Sequence, residues 1–169
     1  MDKIEIYSSK KKLFLLLIAS LLFVVVGIFM LLYFENIKKI IGLISILFFG
    51  LGIYFSIRGL VKNQLILVID AIGINVNPKK SLSEKIEWKN IIGFSEIRIQ
   101  GAKIVIIKVN NPNYWIEKEE NQIRKKIMSF NTDNYGSPFN ISANAMQISH
   151  LELIQILNDN FKKYKNIDC

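Results

Sequence analysis

Two uninterrupted apolar runs dominate the pattern of hydrophobic and polar residues near the start of the chain. They cover residues 13–34 and 40–57, which are 22 and 18 residues without a charged side chain. A helix needs roughly 20 apolar residues to cross the ~30 Å hydrocarbon core of a bilayer. Because only residues 35–39 connect the runs, the pattern predicts a transmembrane helical hairpin over residues 13–57.

Two alternative interpretations fit these runs less well. A secretory signal has an apolar stretch of about 7 to 15 residues followed by a small-x-small cleavage site, whereas the first run continues past Ala19 and Ser20. A buried hairpin of a soluble protein would keep a polar stripe on each helix. Neither run has such a stripe, so the membrane interpretation is favoured.

The pattern changes after residue 63, where short segments rich in Ile and Val are bounded by turn residues. This pattern is typical of an antiparallel meander. The predicted strands cover residues 65–69, 72–76, 85–88, 91–100, 103–109 and 137–142. Gly101 and Ala102 are expected to form a two-residue hairpin loop, with glycine at the position that needs a positive φ.

Two helical segments follow the strands. Residues 112–130 predict a charged surface helix with Pro112 in its first turn. Its apolar stripe consists of Ile116, Ile123, Ile127 and Phe130. Two interpretations stay open: the stripe packs on the domain, or the helix lies along a membrane surface. In the second case Arg124, Lys125 and Lys126 would contact the headgroups.

The last helix begins at a recognisable capping box. Ser149 and Glu152 have the spacing at which a hydroxyl and a carboxylate satisfy free backbone amides at a helix start. An apolar stripe at helical spacing follows, formed by Leu151, Ile154, Leu157 and Phe161. An amphipathic C-terminal helix is therefore expected.

Positive charge is concentrated beside the apolar runs. Residues 1–62 carry a net charge of +5, and residues 63–169 carry +3. Six Lys or Arg residues flank the outer ends of the hairpin, Arg58 and Lys62 among them, against two in its short loop. The positive-inside rule therefore predicts that both termini are cytoplasmic. Charge at this location suits contact with an anionic bilayer, and it gives little support to nucleic-acid binding.

Small residues suggest how the hairpin closes. In an antiparallel pair, residues at equal depth have numbers that add to a constant, which is about 72 here. Ser20 would then face Gly52, and Gly27 would face Ser45. Such small residues allow close backbone approach between helices in lipid, so these four residues form the predicted packing seam.

No catalytic, cofactor or metal site is predicted. The one histidine, His150, lies in the capping box, and the one cysteine is the last residue, Cys169. No Gly-rich phosphate loop, GxSxG elbow or HExxH sequence is present. Enzymatic function is therefore not expected, and no specific small-molecule ligand is indicated.

Several segments carry a resemblance that covers nearly the whole chain. They are residues 5–12, 73–74, 86–91 with Trp88, 111–112, 135–138 and 141–142. With the paired spans, these resemble a small family of bacterial membrane proteins that have two spans and a pleckstrin-homology-like (PH-like) domain. The family has no assigned activity, so the resemblance implies a fold and an inner-membrane location rather than a reaction.

The resemblance also raises the question of inositol-lipid binding. PH domains that bind inositol phosphates gather Lys and Arg around the turn between their first two strands. The matching turn, residues 70–73, has no basic residue, and only Lys79, Lys80 and Lys85 lie near it in sequence. Trp88 is expected to be a core residue rather than a ligand platform.

The expected fold is a membrane α-helical hairpin followed by a small α+β PH-like antiparallel barrel with a C-terminal amphipathic helix. The expected divisions are a cytoplasmic N-terminal segment (1–12), the hairpin (13–57), a linker (58–63) and a cytoplasmic domain (64–169) with a helical insertion at about 112–130.

The expected function is a membrane-anchored interaction module that binds a protein partner, or a second copy of itself, at the inner surface of the bacterial cytoplasmic membrane. The alternatives are sensing of the lipid surface and an accessory role in a membrane transport or export complex. Because neither span contains an ionisable residue, a transporter acting alone is not expected.

Overall fold

The computed structural model describes residues 3–78 and 85–165. Its contacts divide the chain into two compact units, of which one is Ser8–Gln64 and the other combines Met1–Tyr7 with Leu65–Cys169. The helical hairpin is thus inserted into a folded domain whose first strand precedes it. Lys79, Lys80 and Cys169 lie outside the described residues.

The inserted unit consists of two long antiparallel helices, α1 (Lys10–Tyr33) and α2 (Ile37–Val61). At 1.5 Å per residue, their 24 and 25 residues correspond to roughly 36 Å each. Both helices are long and apolar enough to cross a membrane, and only 11% of the apolar window of each is buried. A core helix of a soluble protein would be mostly buried, so the exposure favours the membrane interpretation.

Both helices extend beyond the uncharged runs. Ser9 caps α1, its hydroxyl accepting a hydrogen bond from the Lys12 amide, so the helix begins three residues before residue 13. At the other end α2 continues through Arg58 to Val61, which shortens the predicted linker to residues 62–64. A cation in the last turn stabilises a helix C-terminus. Arg58 therefore ends the apolar run but does not end α2.

Within the described residues, the domain has seven strands in two antiparallel sheets. The strands are β1 (Ile4–Tyr7), β2 (Leu65–Ile69), β3 (Gly73–Asn75), β4 (Ile86–Glu87), β5 (Ile91–Ile99), β6 (Ala102–Val109) and β7 (Phe139–Ile141). The first sheet has the order β1-β2-β3-β4, and the second has the order β5-β6-β7. β1 pairs with β2, so the segment before the hairpin belongs to the domain rather than to a separate N-terminal tail.

The two sheets are not closed into the barrel that the sequence suggested. Between β4 and β5 the chain forms a 3-10 turn at Trp88–Asn90, and the strands after this turn pair only among themselves in the described residues. Trp88 is 2% exposed and its indole nitrogen donates to the Asp70 carbonyl at 2.8 Å. The 3-10 turn ends the first ladder, and the hydrogen bond from the buried indole holds this turn against Asp70.

The β5-β6 loop lies one residue earlier than expected. Gln100 and Gly101 are its two central residues, with φ values of 48° and 83°. Ile99 therefore pairs with Ala102, and Ile97 with Ile104. The pairing is thereby shifted by two residues from the predicted register, and each side chain keeps its face of the sheet because side chains alternate with a period of two.

The insertion after β6 forms two helices instead of the one predicted. These are α3 (Pro112–Lys118) and α4 (Gln122–Tyr135). Asn121 separates them, because its side-chain oxygen accepts hydrogen bonds from the amides of Ile123 and Arg124. An Asn in this role begins a new helix, so the charged segment is interrupted after its second turn.

The C-terminal helix α5 (His150–Lys165) closes the core. Its capping box is formed: the Glu152 amide donates to the Ser149 hydroxyl at 3.2 Å. Leu153 and Leu157 are fully buried, whereas Leu151 is 76% exposed. The buried face is therefore rotated from the predicted stripe, because Leu151 lies about 200° before Leu153 on the helical wheel.

Candidate functional site

A groove of about 450 Å³ opens in the domain beside the β3-β4 edge. Its opposite wall comes from α3, α4 and β7. Its principal lining residues are Asn75, Asn77, Lys85, Trp115, Arg124 and Phe139. A second depression of about 360 Å³ shares part of this lining and continues along α4. A concave surface with aromatic walls and a few polar groups is the usual form of a binding site.

Aromatic rings form one wall of the groove. The rings of Trp115 and Phe139 are 5.3 Å apart in an edge-to-face arrangement. The Lys118 ammonium lies 5.7 Å from the centroid of the Trp115 ring and 5.8 Å from that of Tyr114. A cation over aromatic faces is held electrostatically, so the groove has an apolar wall with a positive charge at its margin.

An ion pair fixes the helical side of the groove. The Arg124 Nε atom lies 3.1 Å from Glu119 Oε2, and the Glu119 side chain is only 6% exposed. The other Glu119 oxygen accepts a hydrogen bond from the Asn121 amide at 3.1 Å. Glu119 thereby connects the start of α4 to Arg124, a residue that lines the groove.

A second charged pair fixes the sheet side. Asp70 forms an ion pair with Lys85, and it also accepts hydrogen bonds from the amides of Ile72 and Gly73. Burial acts to raise the Asp70 pKa, but the hydrogen bonds from Lys85 and from the two amides outweigh it and hold the pKa below its usual value. The stabilisation is present above the pKa of an unfolded Asp and is lost as the pH falls through the lowered folded pKa.

The basic triplet on α4 does not form one surface. Arg124 is turned into the groove by its pairing with Glu119, Lys125 is half-buried, and Lys126 is exposed. Consecutive helix residues differ by about 100° in direction, so three adjacent cations cannot share one face. The sequence showed the three charges, but it did not show that their side chains point in different directions.

The apolar stripe of α4 faces solvent. Ile123, Ile127 and Phe130 are 72%, 53% and 58% exposed, and the buried residues of the helix are Met128 and Asn131. Of the two interpretations left open by the sequence, packing of this stripe on the domain does not hold for these three residues.

The remaining predicted surface residues lie near the end of α2. The Arg58 guanidinium donates to the Tyr54 hydroxyl at 3.4 Å, and the Lys62 amide caps the helix by donating to the Arg58 carbonyl. Both residues follow the apolar part of the helix, where a cation reaches an aqueous interface.

The helix pair closes at small residues. A Cβ atom added at Gly52 would lie 2.6 Å from the Ser20 hydroxyl, and one at Gly59 would lie 2.8 Å from a Leu13 methyl group. Phe23 stacks on Phe49 with ring centroids 4.3 Å apart. Each of these three pairs joins residues whose numbers add to 72.

Gly27 does not lie against Ser45 as the equal-depth argument suggested. A Cβ at Gly27 would lie 2.9 Å from both the Gly42 carbonyl oxygen and the Ile46 side chain. Ser45 instead donates to the Phe23 carbonyl at 3.3 Å. Equal depth is not sufficient for contact because helix rotation decides which residue at that depth faces the partner helix.

The histidine joins two elements of the domain. His150 Nε2, at the start of α5, lies 2.5 Å from Glu96 Oε2 on β5, and its Nδ1 atom is buried without a hydrogen-bond partner among the described residues. In residues 3–78 and 85–165, no group of three or more His, Cys, Asp or Glu side chains has the geometry of a metal site.

The groove could not be predicted from the sequence because its walls come from segments that are far apart along the chain. Asn75, Trp115 and Glu119 carry no local motif, and only the folded sheet edges bring them together. Strand β1 could have been predicted from the alternation of polar and apolar residues from Lys3 to Tyr7.

No protein-family model, curated protein or solved structure matches this chain.

Proposed function

We propose that this chain is a membrane-anchored interaction protein with a PH-like domain, which binds a segment of a partner protein at the inner surface of the bacterial cytoplasmic membrane. The observation that carries the proposal is the groove between the β3-β4 edge and the wall of α3, α4 and β7. Its volume suits a few side chains of an extended segment, and the Trp115–Phe139 wall offers apolar contact. The role is one of binding, and no catalytic step is assigned.

Strand pairing supports the proposed topology. β1 precedes the helical hairpin, β2 follows it, and the two strands pair from Ile4–Ile69 to Tyr7–Leu65. Strands can pair only in one compartment, so the chain must cross the bilayer an even number of times between them. With six basic residues flanking the hairpin and two in its loop, the positive-inside rule favours a cytoplasmic domain.

The strand arrangement supports the PH-like assignment. A meander covered by a C-terminal amphipathic helix is the organisation of PH-like domains, and here four strands and three strands precede α5. Leu153 and Leu157 of α5 join the core cluster that contains residues of both sheets. The open β4-β5 corner is the departure from a closed barrel.

Site-specific photo-crosslinking in the full-length protein tests the groove. A benzophenone amino acid at Lys118, on the groove margin, is expected to form discrete protein adducts in intact cells. The matched control carries the same group at Lys108, which is exposed on β6 and does not line the groove. Equal adduct patterns at the two positions, or no adduct at Lys118, would overturn the proposal. An adduct of two copies of this chain would identify the partner as itself.

A reporter fused after Cys169 tests the topology separately. A reporter that is active only in the cytoplasm is expected to be active in this fusion. Activity of an exported reporter at the same position would contradict the cytoplasmic assignment without bearing on the groove.

A further inference from the structure

The exposed stripe of α4 is unusual for a surface helix. Such a helix normally buries its apolar side chains and leaves its polar ones in water. Here Ile123, Ile127 and Phe130 recur at helical spacing and are all more than half exposed, while Asn131 is buried. Its side-chain amide donates to the Pro138 carbonyl at 3.4 Å. Since α4 packs on the domain through Met128 and Asn131, the stripe of Ile123, Ile127 and Phe130 is left available for another contact.

The charges around the stripe indicate the chemistry of its partner. By helical periodicity Lys126 flanks the stripe on one side and Arg124 on the other. Arg124 pairs with Glu119, and Lys125 is half-buried near the opposite face. The acidic residue of α4, Asp133, lies in its last turn. An apolar stripe beside basic residues is complementary to a bilayer with anionic headgroups.

The length of the connections indicates which surface is nearest. Only Ser8 and Ser9 separate β1 from α1, and residues 62–64 separate α2 from β2. Three extended residues reach about 10 Å. Connections this short keep the ends of β1 and β2 within reach of the headgroup layer. A weak apolar patch is then sufficient for contact, because the tether supplies a high effective concentration.

We propose that α4 is an interfacial helix, which inserts Ile123, Ile127 and Phe130 into the headgroup region of the bilayer that anchors the protein and uses Lys126 at the edge of this stripe to favour anionic phospholipids. This contact is separate from the groove and fixes the orientation of the domain on the membrane. It would hold even if the groove had no protein partner.

Depth measurements on the full-length protein test the proposal. In a Cys169→Ser background, nitroxide labels are attached to single cysteines at positions 123, 127 and 130, with Lys108→Cys as the exposed control. The protein is reconstituted into vesicles of phosphatidylcholine with or without phosphatidylglycerol. Labels on the stripe are expected to show increased collision with oxygen and decreased collision with a water-soluble nickel complex, most strongly in the anionic vesicles. The label at 108 is expected to remain water-exposed. Water-like accessibility of all four labels in both vesicle types would overturn the proposal.

Charge removal provides a second readout. Lys126→Gln is expected to lower the ratio of inserted to free α4 by about fivefold, because this lysine flanks the stripe and lies near the headgroups. The matched control, Lys108→Gln, removes the same charge from an exposed position of β6 and is expected to have no such effect. Equal effects of the two variants would contradict a specific role for α4.

Spin dilution distinguishes lipid from a second copy of the chain. If copies paired through the stripe, labels at position 127 would broaden one another, and added unlabelled protein would remove the broadening in every lipid. This result would overturn the membrane assignment. Spectra that depend on lipid composition but not on dilution are the expected outcome.

Discussion

Two helices of the same domain use their apolar residues in opposite ways. α5 turns Leu153 and Leu157 into the core, where both are fully buried. α4 turns Ile123 and Ile127 towards solvent and buries Asn131. Both helices begin at a side-chain cap, which is Asn121 in α4 and Ser149 in α5. An amphipathic pattern therefore predicts a helix without predicting what its apolar face contacts.

The largest expected effect comes from the core face of α5. Leu157→Ala removes a fully buried side chain and leaves a cavity, so we expect it to lower the free energy of unfolding by about 2–5 kcal/mol. Urea titration in mild detergent, followed by tryptophan fluorescence, measures the change. Leu151→Ala on the exposed side of the same helix is the control, with an expected change within about 0.5 kcal/mol. Similar losses for the two variants would contradict the assigned face.

The buried side of α4 is expected to contribute less. Met128→Ala should cost about 2 kcal/mol, at the lower end of the range for a large-to-small core substitution, since this side chain lies at the groove and is 8% exposed. The same titration provides the measurement. A loss of stability as large as that of Leu157→Ala would mean that α4 contributes to the core as much as α5 does. The two helices would then not differ in how they pack.

The caps are expected to be equivalent in the two helices. Ser149→Ala and Asn121→Ala should each cost about 1 kcal/mol, because each leaves backbone amides at a helix start without their side-chain acceptor. Amide hydrogen exchange measured by mass spectrometry would localise the loss to the first turn of the affected helix. A much larger effect at Asn121 would indicate that the Glu119–Arg124 pair depends on this cap.

The smallest stability effect is expected at the exposed stripe. Ile127→Ser should change the free energy of unfolding by no more than about 0.5 kcal/mol in detergent, because the side chain is 53% exposed. A loss comparable to that of Met128→Ala would show that the domain itself needs the stripe. Unchanged stability together with loss of bilayer contact would show that the apolar stripe of α4 serves membrane contact, whereas the apolar face of α5 serves the core.

Much of the fold follows from local pattern. The apolar runs predicted both long helices, strand β2 lies where the Ile- and Val-rich segment indicated, and Ser149 and Glu152 predicted the start of α5. The prediction of one helix over residues 112–130 was wrong because the segment contains a helix-start signal as well as helix-forming residues. The Asn121 side chain caps a second helix there.

The local pattern of residues was sufficient to predict the apolar hairpin and the antiparallel strands, because uninterrupted apolar runs and β-branched segments are recognisable within a few neighbouring residues. The folded structure was needed to see that β1 joins the domain across the hairpin, that the sheets stop short of a barrel, and that Trp115 and Asn75 share a groove. It was also needed to see which face of α4 points outward. Each of these features depends on contacts between distant segments, whose free energies no local pattern records.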